Sequence, residues 1–466
     1  MSGVDTGSFR DRDGRVYLAE KRVFRGLSAQ ALKAWRSVSQ QSFYQDLVSS
    51  GELVETREIA SSEVPLDPST KNAWAGFLEH RRIPFISYPY EWSFSMLRDA
   101  ALLQLRITRA AVEHDFTLKD ATPYNIQFDD GRPVFIDIAS FETLQPGSAW
   151  AGYRQFCEMF LFPLLLQAYK GVDFQPFLRS RIDGIGVQQA ARMFSLRDRF
   201  RKGVLGNVWL QAKLEARYGQ SSKDVRKDLK SAGFGKELIL ANLRKLQRLV
   251  TGLQWQDPVS EWGDYESFHN YSEADHQAKA AFVAQCAERV RPDLAWDIGC
   301  NTGRFSTVAA ATSGRVVACD IDHLAIERLY LDPNRPENVL PLLQNIADPS
   351  PDWGWKLGER RSMAQRGQPD LVLCLALVHH VVITANIPMA EFVGWLAELT
   401  PNLVFEYVSR KDDKVQTLLR NKDDKYSDYS RESCEAALRQ HYCIEDELAL
   451  RDGMRRIYFC RPGAGA

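Results

Sequence analysis

Residues 294–322 read LAWDIGCNTGRFSTVAAATSGRVVACDID, and this stretch limits the possible folds more sharply than any other. A short apolar run (Leu294, Ala295, Trp296) ends in Asp297. Gly299, Asn301 and Gly303 mark a turn, and an apolar helical stretch begins near Phe305. A second apolar run, Val316 to Cys319, ends in Asp320. Strand, glycine loop, helix and strand, with a carboxylate closing each strand, make a βαβ nucleotide-binding unit. Glycines let the backbone approach a ligand closely, and asparagine tolerates the left-handed conformation better than most residues. An acid about 20 residues beyond the glycines suits a ribose diol, because a carboxylate can accept from both hydroxyls.

Asn301 breaks the G-x-G-x-x-G spacing of nicotinamide and flavin sites. The pattern D-x-G-x-N-x-G instead resembles the first motif of class I S-adenosylmethionine-dependent methyltransferases. The resemblance implies an α/β domain with a seven-stranded Rossmann-like sheet, in which Asp297, Gly299, Asn301 and Gly303 shape the methionine pocket and Asp320 holds the ribose. It further implies that an acid or amide after the third strand (Val339 to Leu342) reads the adenine amino group, which points to Asp348 with help from Asn345. A helix cap is the other reading of Asp348. Ahead of the motif, Ala278, Phe282, Val283 and Cys286 have helical spacing, and Tyr265, His269, Tyr271 and Ser272 stand on the approach. In this class such an approach closes over the methionine end, so Tyr271 is a candidate contact, although aromatic packing explains it equally well.

Residues 369–383, PDLVLCLALVHHVVI, form an apolar strand with His379 and His380 at its carboxyl side. Open α/β sheets place ligands at the carboxyl ends of their strands, so one of the two histidines falls where a neutral imidazole could take the acceptor's proton. Adjacent side chains diverge and no third ligand is evident, so no metal site is expected. Further strands follow at 403–408 and 456–460, the latter closing a terminal hairpin, and the polar, aromatic stretch 423–430 is a candidate wall of the acceptor site.

A chain of 466 residues exceeds one ordinary core. The expected division is a domain over 1–180, a helical connector over 181–255, and the methyltransferase domain over 256–466. A formal charge of −1 gives the whole molecule no strong pull toward nucleic acid or membrane. The eight cysteines form no CxxC pairs and several sit in apolar runs, which argues for a reducing cytoplasm. No secretory signal is visible after Met1, and the longest apolar runs, 159–166 and 371–383, are too short to span a bilayer.

Within the first 180 residues, 15–24 alternates as a hairpin around Gly14 would, 29–53 has helical spacing, 83–88 reads as a strand, and a helix with a continuous apolar face runs from about Ser93 to Glu113. Residues 114–142 then read HDFTLKDATPYNIQFDDGRPVFIDIASFE. Asp120 and Asn125 are spaced D-x-x-x-x-N, and Asp137 follows an Asp-Asp-Gly turn between two short strands. This resembles the catalytic loop and metal-binding aspartate of protein-kinase-like and aminoglycoside-phosphotransferase-like α+β folds. There the first Asp accepts the substrate proton while the Asn and second Asp hold Mg²⁺. Leu118 stands where those loops carry His, no glycine-rich phosphate loop precedes it, and Lys21 is the lone candidate for the phosphate-binding lysine. A kinase-like scaffold without transfer activity is the expectation, and Mg-ATP the lesser one.

Residues 181–250 hold 16 Lys or Arg against 6 Asp or Glu, with an amphipathic stripe of Leu238, Leu240, Leu243, Leu246 and Val250. Such a surface could hold an anionic carrier, nucleic acid or a lipid headgroup, or be a solvated connector, which is the simpler reading. The phrases SYPYEWSFSMLRDAALLQL and DIGCNTGRFS, with the two-part layout, resemble bacterial nodulation-protein (NoeA)-like methyltransferases. The expected enzyme methylates oxygen or nitrogen of a small or carrier-bound acceptor, with the kinase-like domain assisting recognition. Its rivals are a bifunctional enzyme with a working kinase and a non-catalytic cofactor sensor.

Overall fold

The computed structural model describes residues 3–218, 235–255, 273–420, 422–423 and 425–463. It divides into two units: Met1–Gln256 with Gly354–Arg360, and Asp257–Trp353 with Arg361–Ala466.

The first unit opens with β1 (Gly3–Val4), β2 (Gly14–Ala19), β3 (Arg22–Leu27), β4 (Thr56–Ile59) and β5 (Gly76–His80), an antiparallel sheet in the order β1-β2-β3-β5-β4. Tyr17, Phe24, Ile59 and Phe77 form its core. The β2–β3 hairpin turns at Glu20 and Lys21, both with positive φ, and Gly14 lies inside β2 instead of at the turn. The helical stretch 29–53 is two helices. Ala29–Ser39 buries Leu32, Trp35 and Val38, and the Ser28 hydroxyl caps it by accepting from the Ala31 N–H; Ser42–Ser49 follows. Residues 83–88 form no strand. Pro84 and Pro89 lack donors, and the backbone of Ser87 pairs with the side chain of Gln127 instead: its N–H donates to Oε1 at 2.8 Å, and its carbonyl accepts from Nε2 at 3.1 Å.

The helix Phe94–Glu113 has 13 buried residues among its 20, which makes it the spine of this unit. Four short strands follow: β6 (Phe116–Leu118), β7 (Ile126–Asp129), β8 (Arg132–Phe135) and β9 (Phe141–Thr143), paired β6–β9 and β7–β8. Asp130 and Gly131, both at positive φ, make the mirror-image turn that matches strand twist. The helix Lys236–Thr251 packs on Phe94–Glu113 with Leu240, Leu243, Leu246 and Val250 buried. Leu238, expected in that stripe, is exposed, and Ile239 is buried in its stead.

The second unit is built on β10 (Leu294–Ile298), β11 (Arg315–Asp320), β12 (Val339–Leu343), β13 (Leu371–Cys374), β14 (Leu403–Val408), β15 (Tyr442–Leu450) and β16 (Arg455–Pro462), in the order β12-β11-β10-β13-β14-β16-β15. The first five run parallel, and β16 lies antiparallel between β14 and β15. Central strands such as VVAC and LVLC are apolar at successive positions because both faces are covered. The helix Glu273–Val290 contributes Phe282, Val283, Cys286 and Ala287 to the core. Chain order reverses between β10 and β13, which opens a crevice at their carboxyl ends. Among the described residues no helix is long and apolar enough to cross a membrane, and all eight cysteines are unpaired.

Candidate active site

The glycine loop folds back onto the end of β11. The N–H groups of Gly299 and Cys300 donate to the Cys319 carbonyl at 2.8 and 3.0 Å. The Asn301 N–H donates to Asp320 Oδ2 at 2.7 Å, and the Asp322 N–H to Oδ1 at 2.9 Å. Asp320 is thereby fixed with one backbone donor on each oxygen, leaving each oxygen a further lone pair for a ligand hydroxyl. Burial raises its pKa above the ordinary carboxylate value. Asn301 has φ +50 and its side chain accepts from the Thr302 N–H at 2.7 Å. Asp297 lies beneath the loop, its Oδ2 accepting from the Ser306 hydroxyl at 2.6 Å. Burial pushes its pKa up to about 6.

Gly303, at φ +83, begins the helix Arg304–Ala310. A Cβ there would lie 2.5 Å from Leu329 Cδ1, and one at Gly299 would lie 3.1 Å from Leu377 Cδ1. Gly299 therefore brings the loop against the segment that carries the histidines, whereas Gly303 answers to helix packing.

After β12, the Gln344 N–H donates to the Asp320 carbonyl at 2.9 Å, which joins this strand end to the carboxylate. Asn345 Oδ1 accepts from the Ala347 N–H, and the Asp348 N–H donates to the Asn345 carbonyl, each at 3.0 Å. Asp348 is exposed in this turn and no helix starts from it. Tyr271, together with Tyr265, His269 and Ser272, lies outside the described residues.

β13 is shorter than the apolar run suggested. It ends at Cys374, Ala376 takes φ +51, and a π-helical turn spans His380–Thr384. The His379 and His380 rings lie 4.1 Å apart between centroids. His379 is fully buried, and neither ring nitrogen has a hydrogen-bond partner. Burial holds its pKa well below the ordinary histidine value, reinforced by His380, Arg455 and Lys414. Burial also lowers His380, to about 4. Both rings are neutral at pH 7. The stretch 423–430 docks on the residues that follow: Tyr426 donates to Asn386 Oδ1 at 2.7 Å, and Asp428 accepts from the Met389 N–H at 3.0 Å.

A buried charge ladder stands beside the crevice. Lys279 Nζ lies 2.5 Å from Glu406 Oε2, Arg455 lies 3.3 Å from Glu406 and 3.1 Å from Asp412, and Arg451 lies 2.9 Å from Asp412. Burial lowers the pKa of Lys279, which Glu406 opposes. The sequence places Glu406 in a strand and Asp412 in the charged loop after it, but suggests no role for either, nor for Lys279, Arg451 or Arg455. The available signal was a lysine in register with Phe282, Val283 and Cys286, on the apolar face of its helix.

No family model matches the chain. It is 31% identical over 459 residues, 98% of this chain and 95% of the relative, to nodulation protein NoeA of Rhizobium meliloti strain 1021. The chain belongs to the NoeA family. Solved structures similar to this NoeA-family chain include the magnesium protoporphyrin IX methyltransferase ChlM of Synechocystis PCC 6803 with bound SAH. That alignment has 17% identity and a TM-score of 0.30, over 41% of this chain and 84% of that one. The N-methyltransferase NodS of Bradyrhizobium japonicum WM9, in complex with S-adenosyl-l-homocysteine, aligns at 12% identity and a TM-score of 0.31, over 44% of this chain and 99% of that one.

The first unit of the NoeA-family chain gathers a second polar cluster. Asp120 is raised above its ordinary carboxylate value by the protein packed around it and then by the charge of Asp137. The Asn125 carbonyl accepts from the Ile136 N–H at 2.8 Å, while its side-chain nitrogen is buried without a partner. Two cations stand here: Arg25, on β3, lies 3.1 Å from Asp137, and the charge of Lys119 acts on Asp120. Lys21 sits exposed in the hairpin turn. Among the described residues no three His, Cys, Asp or Glu side chains converge as metal ligands.

Proposed function

We propose that the second unit is an S-adenosylmethionine-dependent methyltransferase acting on oxygen or nitrogen of a small or carrier-bound acceptor. The observation that carries the reading is the glycine loop pinned onto the Asp320 carboxylate at the reversal point of a seven-stranded sheet. When bound, the cofactor supplies a methyl group already activated on a sulfonium. The protein's tasks are then to bind, to align and to accept a proton. Asp320 would take the ribose hydroxyls with its remaining lone pairs. Asp297, Gly299, Asn301 and Gly303 would shape the methionine end, and Asp348 would accept from the adenine amine.

Of the two histidines, His379 is the better candidate to meet the acceptor. It is neutral, and both of its nitrogens lack partners. A buried, unpaired imidazole costs roughly 1–3 kcal/mol, which an acceptor hydroxyl or amine would offset as it donates a hydrogen bond to the ring. Burial, His380, Arg455 and Lys414 disfavour the imidazolium, so the ring would accept the acceptor's hydrogen bond and align it without retaining its proton. The first unit would recognise the acceptor, and the unpaired cysteines suit a bacterial cytoplasm.

A ligand-induced thermal shift tests this reading. S-adenosylmethionine and S-adenosylhomocysteine at about 100 times their dissociation constants should each add roughly 2.7 kcal/mol of stability, and Asp320→Ala should abolish the gain. Wild-type protein indifferent to both ligands would sink the methyltransferase reading.

A further inference from the structure

The basic connector expected from the sequence carries an apolar face that no packing argument requires. Phe200 is 93% exposed and Leu196 65%, while Leu205, Leu210 and Leu214 are each about half exposed. The backbone aligns the last three. Residues Leu205–Leu210 form a π-helical turn, and the α-helix Gln211–Tyr218 continues from it. A π turn places residues five apart on one side, so Leu205 lies near Leu210, and Leu214 follows one α turn later. Val208 and Ala212 point the other way and are buried. This is one amphipathic rod with its core face satisfied and a second leucine face outward.

The charges around that face are one-sided. Residues 187–216 hold six Lys or Arg against Asp198 and Glu215. Both acids are engaged: Asp198 by Lys170 at 3.0 Å and Arg201 at 3.3 Å, Glu215 by Arg154 at 2.8 Å. Arg197, Lys202 and Lys213, close in sequence to Leu196, Phe200 and Leu214, are exposed as well. Contiguous exposed apolar groups mark interaction sites. Lysines are depleted from protein interfaces, whereas apolar side chains fringed by Lys and Arg fit the boundary between lipid headgroups and acyl chains.

We propose that residues 196–214 dock the protein peripherally on an anionic phospholipid surface. Phe200 and the leucines enter the headgroup boundary, and Arg197, Lys202 and Lys213 meet the phosphates. The full-length protein would be sedimented with phosphatidylcholine vesicles, with and without a fraction of phosphatidylglycerol. Binding should be on the order of tenfold stronger with the anionic lipid and should fall in ~0.5 M salt. The double variant Phe200→Ser/Leu205→Ser alters only exposed side chains. It should lose about tenfold of that binding with an unchanged unfolding midpoint. Equal binding to both vesicle types would overturn the proposal, as would undiminished binding by the variant. So would concentration-dependent self-association of the wild type, relieved by the same variant, in protein that ignores vesicles; that result would make the face a contact between copies.

Discussion

His379 and His380 are chemically identical in the sequence, and burial separates them. His380 titrates near 4 in the folded protein against about 6.5 unfolded, so its neutral form is favoured by folding. That contribution is fully present above the unfolded value and is lost as pH falls through 6.5 toward 4. At pH 5 the loss is about 2 kcal/mol. Asp297 has the opposite sign. Its folded value of about 6 lies above the ordinary carboxylate range, so its neutral form stabilises at low pH and that stability disappears as pH rises through 6. The two effects overlap between about pH 4 and 6, so a difference measurement is needed. His380→Leu should lose about 2 kcal/mol less than wild type between pH 7.5 and 5 in urea unfolding; parallel losses would show that His380 is not held neutral by the fold. At this scale the sequence revealed residue types but not their company. That the two histidines follow β13 on its carboxyl side was legible, whereas the ion pairs of Lys279, of Glu406 with Asp412, and of Arg455 join three stretches far apart in the chain and left no local pattern.

The βαβ element was the most legible part of the chain, because its signal is local: two apolar runs, a turn and an amphipathic helix in 29 residues. The reason for each glycine was less legible. Both Gly299 and Gly303 have positive φ, at +78 and +83, where an alanine is strained by roughly 1–2 kcal/mol. At Gly303 the added methyl would also meet Leu329, which is buried and has little room to yield. Gly303→Ala should therefore cost roughly 2–4 kcal/mol and Gly299→Ala roughly 1–2, read from unfolding midpoints. Equal costs, or a larger one at Gly299, would mean that Leu329 does not set the identity of residue 303. The strand expected at 83–88 was lost to the Gln127 side chain, a partner 40 residues away that periodicity cannot register.

For the whole molecule, similarity to NoeA runs through both units, so an account of the chain has to include the first one. Its two carboxylates lie beside different cations, Asp137 beside Arg25 and Asp120 beside Lys119. Arg25 lies against Asp137 with both side chains largely buried, and Asp137 in turn repels Asp120. In a phosphotransferase such carboxylates are neutralised by Mg²⁺, whereas here a guanidinium already supplies part of that charge. The phosphate-loop glycines that would hold a nucleotide above the site are missing from the sequence. These features argue against phosphoryl transfer at this cluster. Arg25→Ala leaves Asp137 without its paired cation and should cost roughly 1–3 kcal/mol at neutral pH. If the guanidinium stands in for a metal, millimolar Mg²⁺ should recover part of that loss in Arg25→Ala while leaving wild type unchanged, as read by thermal unfolding of the full-length protein with and without ATP. Stabilisation of wild type by Mg-ATP that vanishes in Asp137→Ala would reverse the assignment, because a nucleotide held through Asp137 makes the first unit a kinase site in its own right.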